Sequence, residues 1–497
     1  VVARDGSGKR GVLPGCMLSA SKAEGQWMLV ARWDAVPTFD PKKRIEADPD
    51  APPLGFVSAD AFGSDTGLLG VRATSDLTLE IEAEYPVPYM LDVLRAAVTY
   101  PVRKDVVEPF KERGEPDMWT RPETLVNNGP YVISDWRFRY EIRMKRNPHH
   151  RYHDKLKIHE IVWLAVESYV STMNLYKAGE IDFIGDNASL PPAYLPFLAN
   201  KKDFERREYL ATYWYELNTK VPPLDNVKVR QALNLGIDKQ QLVDKITRGG
   251  QIPATHFVPN FTQGGYAEQV AREAASPEGD MFANKDRLFD PERARALLKD
   301  AGYPVVGEPG DRRAEGLPSI EVLYNTSEAH KAIAVAIQSM WKEHLGVSVS
   351  LRNEEWHVMQ KNVRDGNFQV VRYGWVGEFD HPQTFMDPFM AKSPANKTGW
   401  SSRAFEELIG KARTTADAPT SMRLYREAER IISDEVPKIP LYFYTKVTLI
   451  KPYVKGFHFN QRNQHMIHWL WIDPGWRDNP SDEPAMAPES FAAPGAF

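Results

Sequence analysis

The sequence IEVLYNTSEAHKAIAVAIQSMWKEHLGVSVSL, residues 320–351, decides the fold. Its first five residues are a β-rich run, residues 328–345 have the apolar spacing of a helix, and residues 347–351 are a second β-rich run. A third such run follows at 368–373. Strands that alternate with helices predict a partly parallel sheet covered by helices, so the fold class is α/β.

Similar elements are predicted on both sides of this stretch. An aromatic strand at 213–218 comes before it, and a long aromatic strand at 439–450 comes after it. Within the first third of the chain, three β-rich runs at 129–133, 141–145 and 158–163 predict a strand meander. The other predicted elements are helices at 89–98, 168–179, 226–236, 239–247, 291–301, 402–414 and 418–434, and a buried strand at 181–184.

Length and composition narrow the class of protein. The chain has 497 residues, more than one hydrophobic core usually supports, so two or three lobes are expected. Its net charge is −5 and its cations are dispersed, which argues against nucleic acid as a partner. No apolar stretch approaches the roughly 18 residues of a membrane span.

The one cysteine, Cys16, excludes internal disulfides and cysteine-based zinc clusters. The residues LPGC at 13–16 resemble a lipoprotein cleavage box. The preceding residues are charged and glycine-rich, whereas a signal peptide needs an apolar stretch there. The sequence therefore favours an unmodified Cys16.

Three stretches resemble motifs of enzymes or metal sites, and each is incomplete or in the wrong context. The run HEIVW at 159–163 begins like a zinc-protease helix, but Trp163 replaces the second histidine. The cluster HHRYH at 149–153 lies in a polar turn, which favours an exposed loop over a metal site. The run GSGKR at 6–10 lacks the remaining residues of a phosphate-binding loop. The sequence thus predicts neither an enzyme nor a cofactor.

A binding loop is predicted where the strand at 368–373 ends. The segment VVRYGWVGEFDHP, 370–382, carries a cation, a tryptophan and two carboxylates in a glycine-rich context. A peptide ligand needs a carboxylate for its α-ammonium, a cation for its carboxylate, and backbone groups that pair with its main chain. Arg372, Glu378 and the backbone of residues 374–377 offer all three. The alternative is that Trp375 belongs to the core and Glu378 is a solvated charge.

Several stretches in order carry a family resemblance. They are GVRATSDLTLEIEAEYPVPY (70–89), LVNNGPYVISDW (125–136), NLYKAGEIDFI (174–184), TYWYELNTKVPPLDNVKVRQALNLGID (212–238), LYNTSEAHK (323–331), NEEW (353–356) and YGWVGEFDHPQTF (373–385). From about Gly70 to about Trp471 the chain resembles the family 5 extracellular solute-binding proteins of ABC importers, most closely their oligopeptide-binding branch.

The resemblance implies a non-enzymatic, two-lobed, periplasmic-binding-protein-like fold (type II, cluster C) that closes about a hinge over an extended peptide. The implied partners are short peptides, an ABC permease and its ATPase subunits, with membrane contact only through the permease. The implied location is periplasmic or otherwise extracytoplasmic. The alternative ligands within this fold are a dipeptide, a cell-wall peptide, an opine-like compound or a metal chelate. Alternatives of another class are a hydrolase and a sensor or scaffold protein.

The resemblance also assigns ligand-binding residues. Glu378 occupies the position at which the branch has an aspartate that binds the α-ammonium of the ligand. Arg372 and His330 occupy positions that interact with a ligand carboxylate. A second arginine of the branch falls at Val363, beside Arg364. The implied ligand-binding set is Glu378, Arg372, Gly374, Trp375, Val376, Gly377, His330, Trp356, Asn325, Tyr213 and Tyr215, with both tyrosines on the strand that resembles the hinge crossing.

The N-terminal region departs from the family pattern. The family's N-terminal strands and its "DG.PVTA.DF" motif are not found, so part of the first lobe is expected to be incomplete. The expected division is residues 1–105 as a remnant of the small β domain and N-terminal region, 106–212 with 445–478 as lobe I, 213–444 as lobe II, and 479–497 as a disordered tail.

Overall fold

The computed structural model describes the following residues: 17–23, 26–32, 71–75, 78–82, 87, 89–95, 99–100, 102–166, 168–185, 190–276 and 288–475. Cys16 and the predicted tail at 479–497 lie outside these ranges, as does most of the predicted remnant at 1–105.

Eighteen strands are found in the described residues. They are β1 (Met17–Ala23), β2 (Gln26–Arg32), β3 (Val71–Ser75), β4 (Thr78–Glu82), β5 (Tyr131–Arg137), β6 (Glu141–Arg146), β7 (Glu160–Leu164), β8 (Phe183–Ile184), β9 (Phe204–Leu217), β10 (Ile252–Pro253), β11 (Val305–Val306), β12 (Arg313–Ala314), β13 (Ile320–Asn325), β14 (Val349–Glu354), β15 (Val370–Val376), β16 (Lys438–Ile450), β17 (Val454–Lys455) and β18 (Trp471–Ile472).

The α-helices of the described residues are α1 (Met90–Val93), α2 (Lys104–Glu112), α3 (Tyr169–Ala178), α4 (Leu195–Leu198), α5 (Val227–Leu235), α6 (Lys239–Gln241), α7 (Tyr266–Ala274), α8 (Pro291–Asp300), α9 (Glu328–Leu345), α10 (Trp356–Arg364), α11 (Gln383–Met386), α12 (Arg403–Thr414) and α13 (Ala418–Glu435). Residues Leu242–Thr247 form a π-helix. Within the described ranges, no helix combines the length and apolar composition needed to cross a bilayer.

The chain divides into two compact units. Unit 1 comprises Val1–Leu94, Thr212–Lys239 and Ala254–Leu441, and unit 2 comprises Arg95–Ala211, Gln240–Pro253 and Tyr442–Phe497. The chain passes from one unit into the other within β9 and within β16. The lobe boundaries expected from the sequence stay predictions.

The parallel part of the sheet in unit 1 follows the alternation of strands and helices. β13 lies between β14 and β15 and is parallel to both, with Ile320 opposite Val349 and Val322 opposite Val370. The connecting helix α9 begins after Ser327, whose hydroxyl accepts a hydrogen bond from a backbone N–H of the first turn. It ends at Gly346, which has the left-handed φ of 65° that glycine adopts without strain. The predicted partly parallel sheet is confirmed.

The sequence interpretation missed several helices. Helices α2, α7 and α10 were not predicted, and β14 begins two residues later than expected. Helix α10 begins after Glu355, whose carboxylate accepts a hydrogen bond from the backbone N–H of His357. Glutamate is not among the residues that usually mark the start of a helix, so this signal is weak in the sequence.

Unit 2 contains the predicted meander. Strands β5, β6 and β7 form an antiparallel sheet in that order. Helix α3 begins after Ser168, which caps it, and ends at Gly179, with a left-handed φ of 79°. The core of this unit is formed by Met173, Tyr176, Ile184, Leu190, Leu195, Leu198 and Leu449.

Candidate ligand-binding site

Arg372 is the centre of a polar cluster in unit 1. It lies in the middle of β15, half-buried, and its guanidinium donates a hydrogen bond to Oδ1 of Asn325 over 3.3 Å. The guanidinium carbon also lies 4.8 Å from the centre of the Tyr213 ring, within the range of a cation–π contact. Because β13 and β15 are neighbouring parallel strands, Asn325 and Arg372 are brought together by the sheet itself.

His330 joins this cluster from the first turn of α9. Its Nδ1 lies 3.2 Å from the hydroxyl of Tyr213, and the two rings are 5.7 Å apart. Burial, and secondarily the charge of Arg372, lower the pKa of His330 to about 3. The imidazole is therefore neutral at physiological pH, and Arg372 supplies the positive charge of the cluster.

Tyr213 and Tyr215 support the cluster from β9. Both side chains are fully buried, and their ring centres are 6.2 Å apart. Burial raises the pKa of Tyr215 well above its usual value, so this hydroxyl stays protonated. Complete burial favours a packing role for the two tyrosines over direct contact with a ligand.

Glu378 lies in the loop that follows β15. Its side chain is exposed, and its backbone N–H donates a hydrogen bond to the hydroxyl of Thr384 over 3.2 Å. The indole N–H of Trp375 donates to the same oxygen over 3.1 Å. Between them, Val376 is exposed and Gly377 is buried. One hydroxyl thus fixes both ends of the segment from Trp375 to Glu378.

The rest of this loop packs into an aromatic stack. The ring of Phe379 lies parallel to that of Tyr89 with centres 4.5 Å apart, and His381 also contacts Tyr89. The other face of the stack is closed by Tyr425, whose ring meets His381 edge-on. Burial lowers the pKa of His381 to about 3, so this ring is neutral as well. The exposed Glu378 therefore belongs to a loop whose following residues are well packed.

Trp356 is placed away from the Arg372 cluster. It is exposed at the start of α10, and its ring centre lies 6.2 Å from that of Tyr373. Tyr373 and Arg372 are consecutive residues of a strand, so their side chains point to opposite faces of the sheet. Val363, where the resemblance placed a second arginine, is buried in a core cluster with Leu323 and Phe368.

The predicted residues thus separate into three groups. Asn325, Arg372, Tyr213 and His330 are linked by successive contacts, and Tyr215 packs against Tyr213. Gly374, Trp375, Val376, Gly377 and Glu378 form the end of β15 and the following loop. Trp356 lies on the other face of the strand. The sequence interpretation missed Thr384 and Tyr89, although both lie inside the motifs that carry the resemblance.

Comparison with known proteins decides the family. The sequence profile described as bacterial extracellular solute-binding proteins, family 5 Middle, matches residues 38–397. The chain belongs to this family. The predicted family and the predicted α/β, periplasmic-binding-protein-like fold are therefore confirmed.

Named relatives cover most of the chain. It is 34% identical over 391 residues to the periplasmic oligopeptide-binding protein OppA of Escherichia coli K12, covering 78% of this chain and 67% of that protein. It is 32% identical over 406 residues to the oligopeptide-binding protein OppA of Bacillus subtilis 168, covering 80% of this chain and 70% of that protein.

Solved structures show the same fold. Haemophilus influenzae OppA in complex with RPPGFSPFR matches with a TM-score of 0.69 and 30% identity, covering 81% of this chain and 75% of that one. The murein tripeptide binding protein MppA of Escherichia coli matches with a TM-score of 0.70 and 30% identity, covering 81% of this chain and 74% of that one.

Proposed function

We propose that this protein is the substrate-binding component of an ABC peptide importer. In this role it captures short oligopeptides outside the cytoplasmic membrane, without changing them chemically, and delivers them to a membrane permease served by ATPase subunits. Membership of family 5 supports the proposal, as do relatives named for oligopeptide binding and a similar structure with a bound nonapeptide.

The observation that carries the proposal is the placement of opposite charges in unit 1. Arg372 is a half-buried cation held by Asn325 and Tyr213, and Glu378 is an exposed carboxylate on a packed loop. In the proposed complex the ammonium of the peptide pairs with Glu378, and an anionic group of the peptide pairs with Arg372. His330 is neutral, so it contributes a hydrogen bond rather than charge.

The backbone of Gly374 to Gly377 completes the proposed site. A peptide that lies along this segment can pair its main chain with backbone groups of the protein, as an added strand does. Main-chain pairing is independent of the side chains of the peptide, so we expect broad sequence specificity.

Calorimetric titration with matched peptides tests this proposal. We expect a short peptide with free termini to bind, its N-acetylated form to bind at least about tenfold more weakly, and its C-amidated form to lose affinity as well. Mass spectrometry of ligands that co-purify with the protein should find mixed short peptides. Failure of every free peptide to bind a folded preparation would contradict the proposal.

Incubation of the same peptides with the protein tests the non-catalytic part. Their masses should be unchanged over hours, because the proposed chemistry is capture alone. Steady release of fragments would instead favour a hydrolase.

A cell-wall peptide is the second candidate ligand. It is favoured by the similarity to the murein tripeptide binding protein, which matches this chain with a TM-score of 0.70. Competition between a murein tripeptide and an ordinary tripeptide separates the two ligand classes.

A further inference from the structure

Thr384 lies, almost fully buried, against the loop of unit 1 that carries Glu378. The residue is 1% exposed, and its hydroxyl oxygen accepts hydrogen bonds from the indole N–H of Trp375 over 3.1 Å and from the backbone N–H of Glu378 over 3.2 Å. A hydroxyl oxygen has two acceptor lone pairs, so these two donors use its full accepting capacity. Thr384 therefore joins both ends of the segment from Trp375 to Glu378 to one buried atom.

The helix that carries Thr384 is itself held by the core of the unit. All four residues of α11 are buried. The hydroxyl of Tyr425 donates a hydrogen bond to the side chain of Gln383 over 2.7 Å, and the guanidinium of Arg413 donates to Asp387, which follows the helix, over 2.6 Å. The position of the hydroxyl is thus set by the interior of unit 1 rather than by the loop.

The segment that this hydroxyl holds has little order of its own. Gly377 lies between the two tethered residues and Gly374 precedes them, and glycine has more conformational freedom than any other residue. Val376 and Glu378 are exposed, so their side chains add little packing. An exposed ion pair contributes little when both groups must be ordered on binding. Glu378 can therefore bind an ammonium strongly only if its main chain is ordered beforehand.

We propose that Thr384 is a positioning residue for peptide capture, whose hydroxyl holds the main chain of Glu378 in the orientation in which the carboxylate binds the ammonium of the peptide. This inference rests on the proposed function, in which Glu378 receives that ammonium. Thr384 does not touch the peptide, because it is buried. Its effect is that the arriving ligand meets a carboxylate whose main chain needs no further ordering.

Calorimetric titration of a free peptide and its N-acetylated form tests the inference through the ratio of their affinities. Thr384→Val removes the acceptor of both donors at nearly the same side-chain volume. We expect it to weaken the free peptide roughly tenfold and the N-acetylated form less, so that the preference for the free peptide falls at least about threefold. Thr384→Ser keeps the hydroxyl and should restore the preference. A purely structural role would weaken both forms equally.

The matched control is Thr398→Val in the same unit. Thr398 is also 1% exposed, and its hydroxyl accepts a hydrogen bond from the backbone N–H of Trp400 over 3.1 Å. Loss of this hydroxyl destabilises the protein in the same way, because it leaves a buried donor without that acceptor. The preference for the free peptide should nevertheless stay unchanged. Chemical denaturation of each variant verifies that it is folded under the conditions of the titration.

A double-mutant cycle tests whether Thr384 acts through Glu378. In a Glu378→Gln background, Thr384→Val should weaken the free peptide by less than about threefold, because the carboxylate that it positions is no longer present. A full tenfold loss in that background would mean that the two residues act independently, and would overturn the inference.

Hydrogen exchange of the ligand-free protein gives a measurement that does not depend on affinity. The backbone N–H of Glu378 should exchange at least about tenfold faster in Thr384→Val, because it lacks its acceptor there, and at close to the wild-type rate in Thr384→Ser. If the wild-type protein binds free peptides and Thr384→Val keeps the same preference for them, this inference fails alone. If the wild-type protein binds no free peptide, the proposed function fails and this inference fails with it.

Discussion

Units 1 and 2 differ in which side chains they bury. Unit 1 fully buries large aromatic residues such as Trp214 and Trp341, together with charged residues such as Arg426 and Lys438. Among the described residues, unit 2 has more exposed large apolar side chains than unit 1, including Phe138, Tyr140, Val162, Trp163, Leu164, Phe197, Met466, Trp469 and Trp471.

The buried charges show that the interior of unit 1 is held in a fixed arrangement. Lys438 lies 2.9 Å from Glu216 and against the rings of Trp214 and Phe389, entirely away from solvent. Such a pair persists only where the surroundings are fixed, because a displaced partner leaves an uncompensated charge. The candidate site thus lies in unit 1, the unit whose interior is more specifically packed.

The largest expected effect concerns this buried pair. Lys438→Met leaves Glu216 charged and buried without its partner, so we expect a loss of about 3–5 kcal/mol in the free energy of unfolding. Chemical denaturation measures it. The matched control is Arg403→Ala, which breaks the exposed pair with Glu407 and should cost less than about 1 kcal/mol. Equal effects would remove the basis of the comparison.

A pH dependence is expected from Lys239, which is fully buried in unit 1 and donates to Asn234 and Ala254. Burial lowers the pKa of Lys239 to about 7, from 10.5 in the unfolded chain. Between these values the unfolded chain binds more protons, so stability should rise with pH above about 7, by at most about 1.4 kcal/mol per pH unit.

Urea denaturation between pH 6 and pH 9 measures this slope. Lys239→Met should flatten it, because the variant has no proton to lose at this position. Lys331→Met, which alters an exposed lysine of the same unit, should leave it unchanged. A slope that survives Lys239→Met would assign the pH dependence to other groups.

The third effect separates binding from stability. Glu378→Gln removes the proposed partner of the peptide ammonium, and we expect about 2 kcal/mol, or roughly thirtyfold, weaker capture by calorimetry. Because Glu378 is exposed, the free energy of unfolding should change little. Glu407→Gln is the control for an exposed carboxylate elsewhere in unit 1. Unchanged affinity in Glu378→Gln would remove this residue from the site.

The smallest effect is expected in unit 2. Phe138 is 75% exposed, so Phe138→Ser should change the free energy of unfolding by no more than about 0.5 kcal/mol. Denaturation in parallel with the buried-pair variants measures it. A large loss would mean that Phe138 is buried in the folded protein, and would weaken the contrast between the units.

The sequence predicts the regular parts of the fold well. The run from β13 through α9 to β14 combines clear periodicity with a serine cap and a terminal glycine, so its local signals agree. Helix α10 was missed because only two of its residues, Met359 and Val363, are buried and its cap is a glutamate. The sequence of α10 thus contains too few of the local signals that mark a helix.

The position of the candidate site in the chain was easier to predict than the protonation states and hydrogen bonds of its residues. The end of β15 is a natural place for ligand groups, and the sequence singles out Arg372 and Glu378. The low pKa of His330 depends on burial by distant parts of the chain, which spacing does not reveal. The hydrogen bonds of Thr384 depend likewise on how its helix packs against the loop. The family resemblance groups Trp356 with Arg372, and the side of the sheet on which each lies depends on the packing of α10, which the motif does not show.

The hydroxyl of Thr384 has a consequence for how ligand arrival can be sensed. The Trp375 indole and the backbone N–H of Glu378 donate to this one oxygen, so the position of the ring and that of the Glu378 main chain are tied to the same atom. If Glu378 holds the peptide ammonium as proposed, we expect the fluorescence of Trp375 to change on binding, which would give the loop an intrinsic optical reporter.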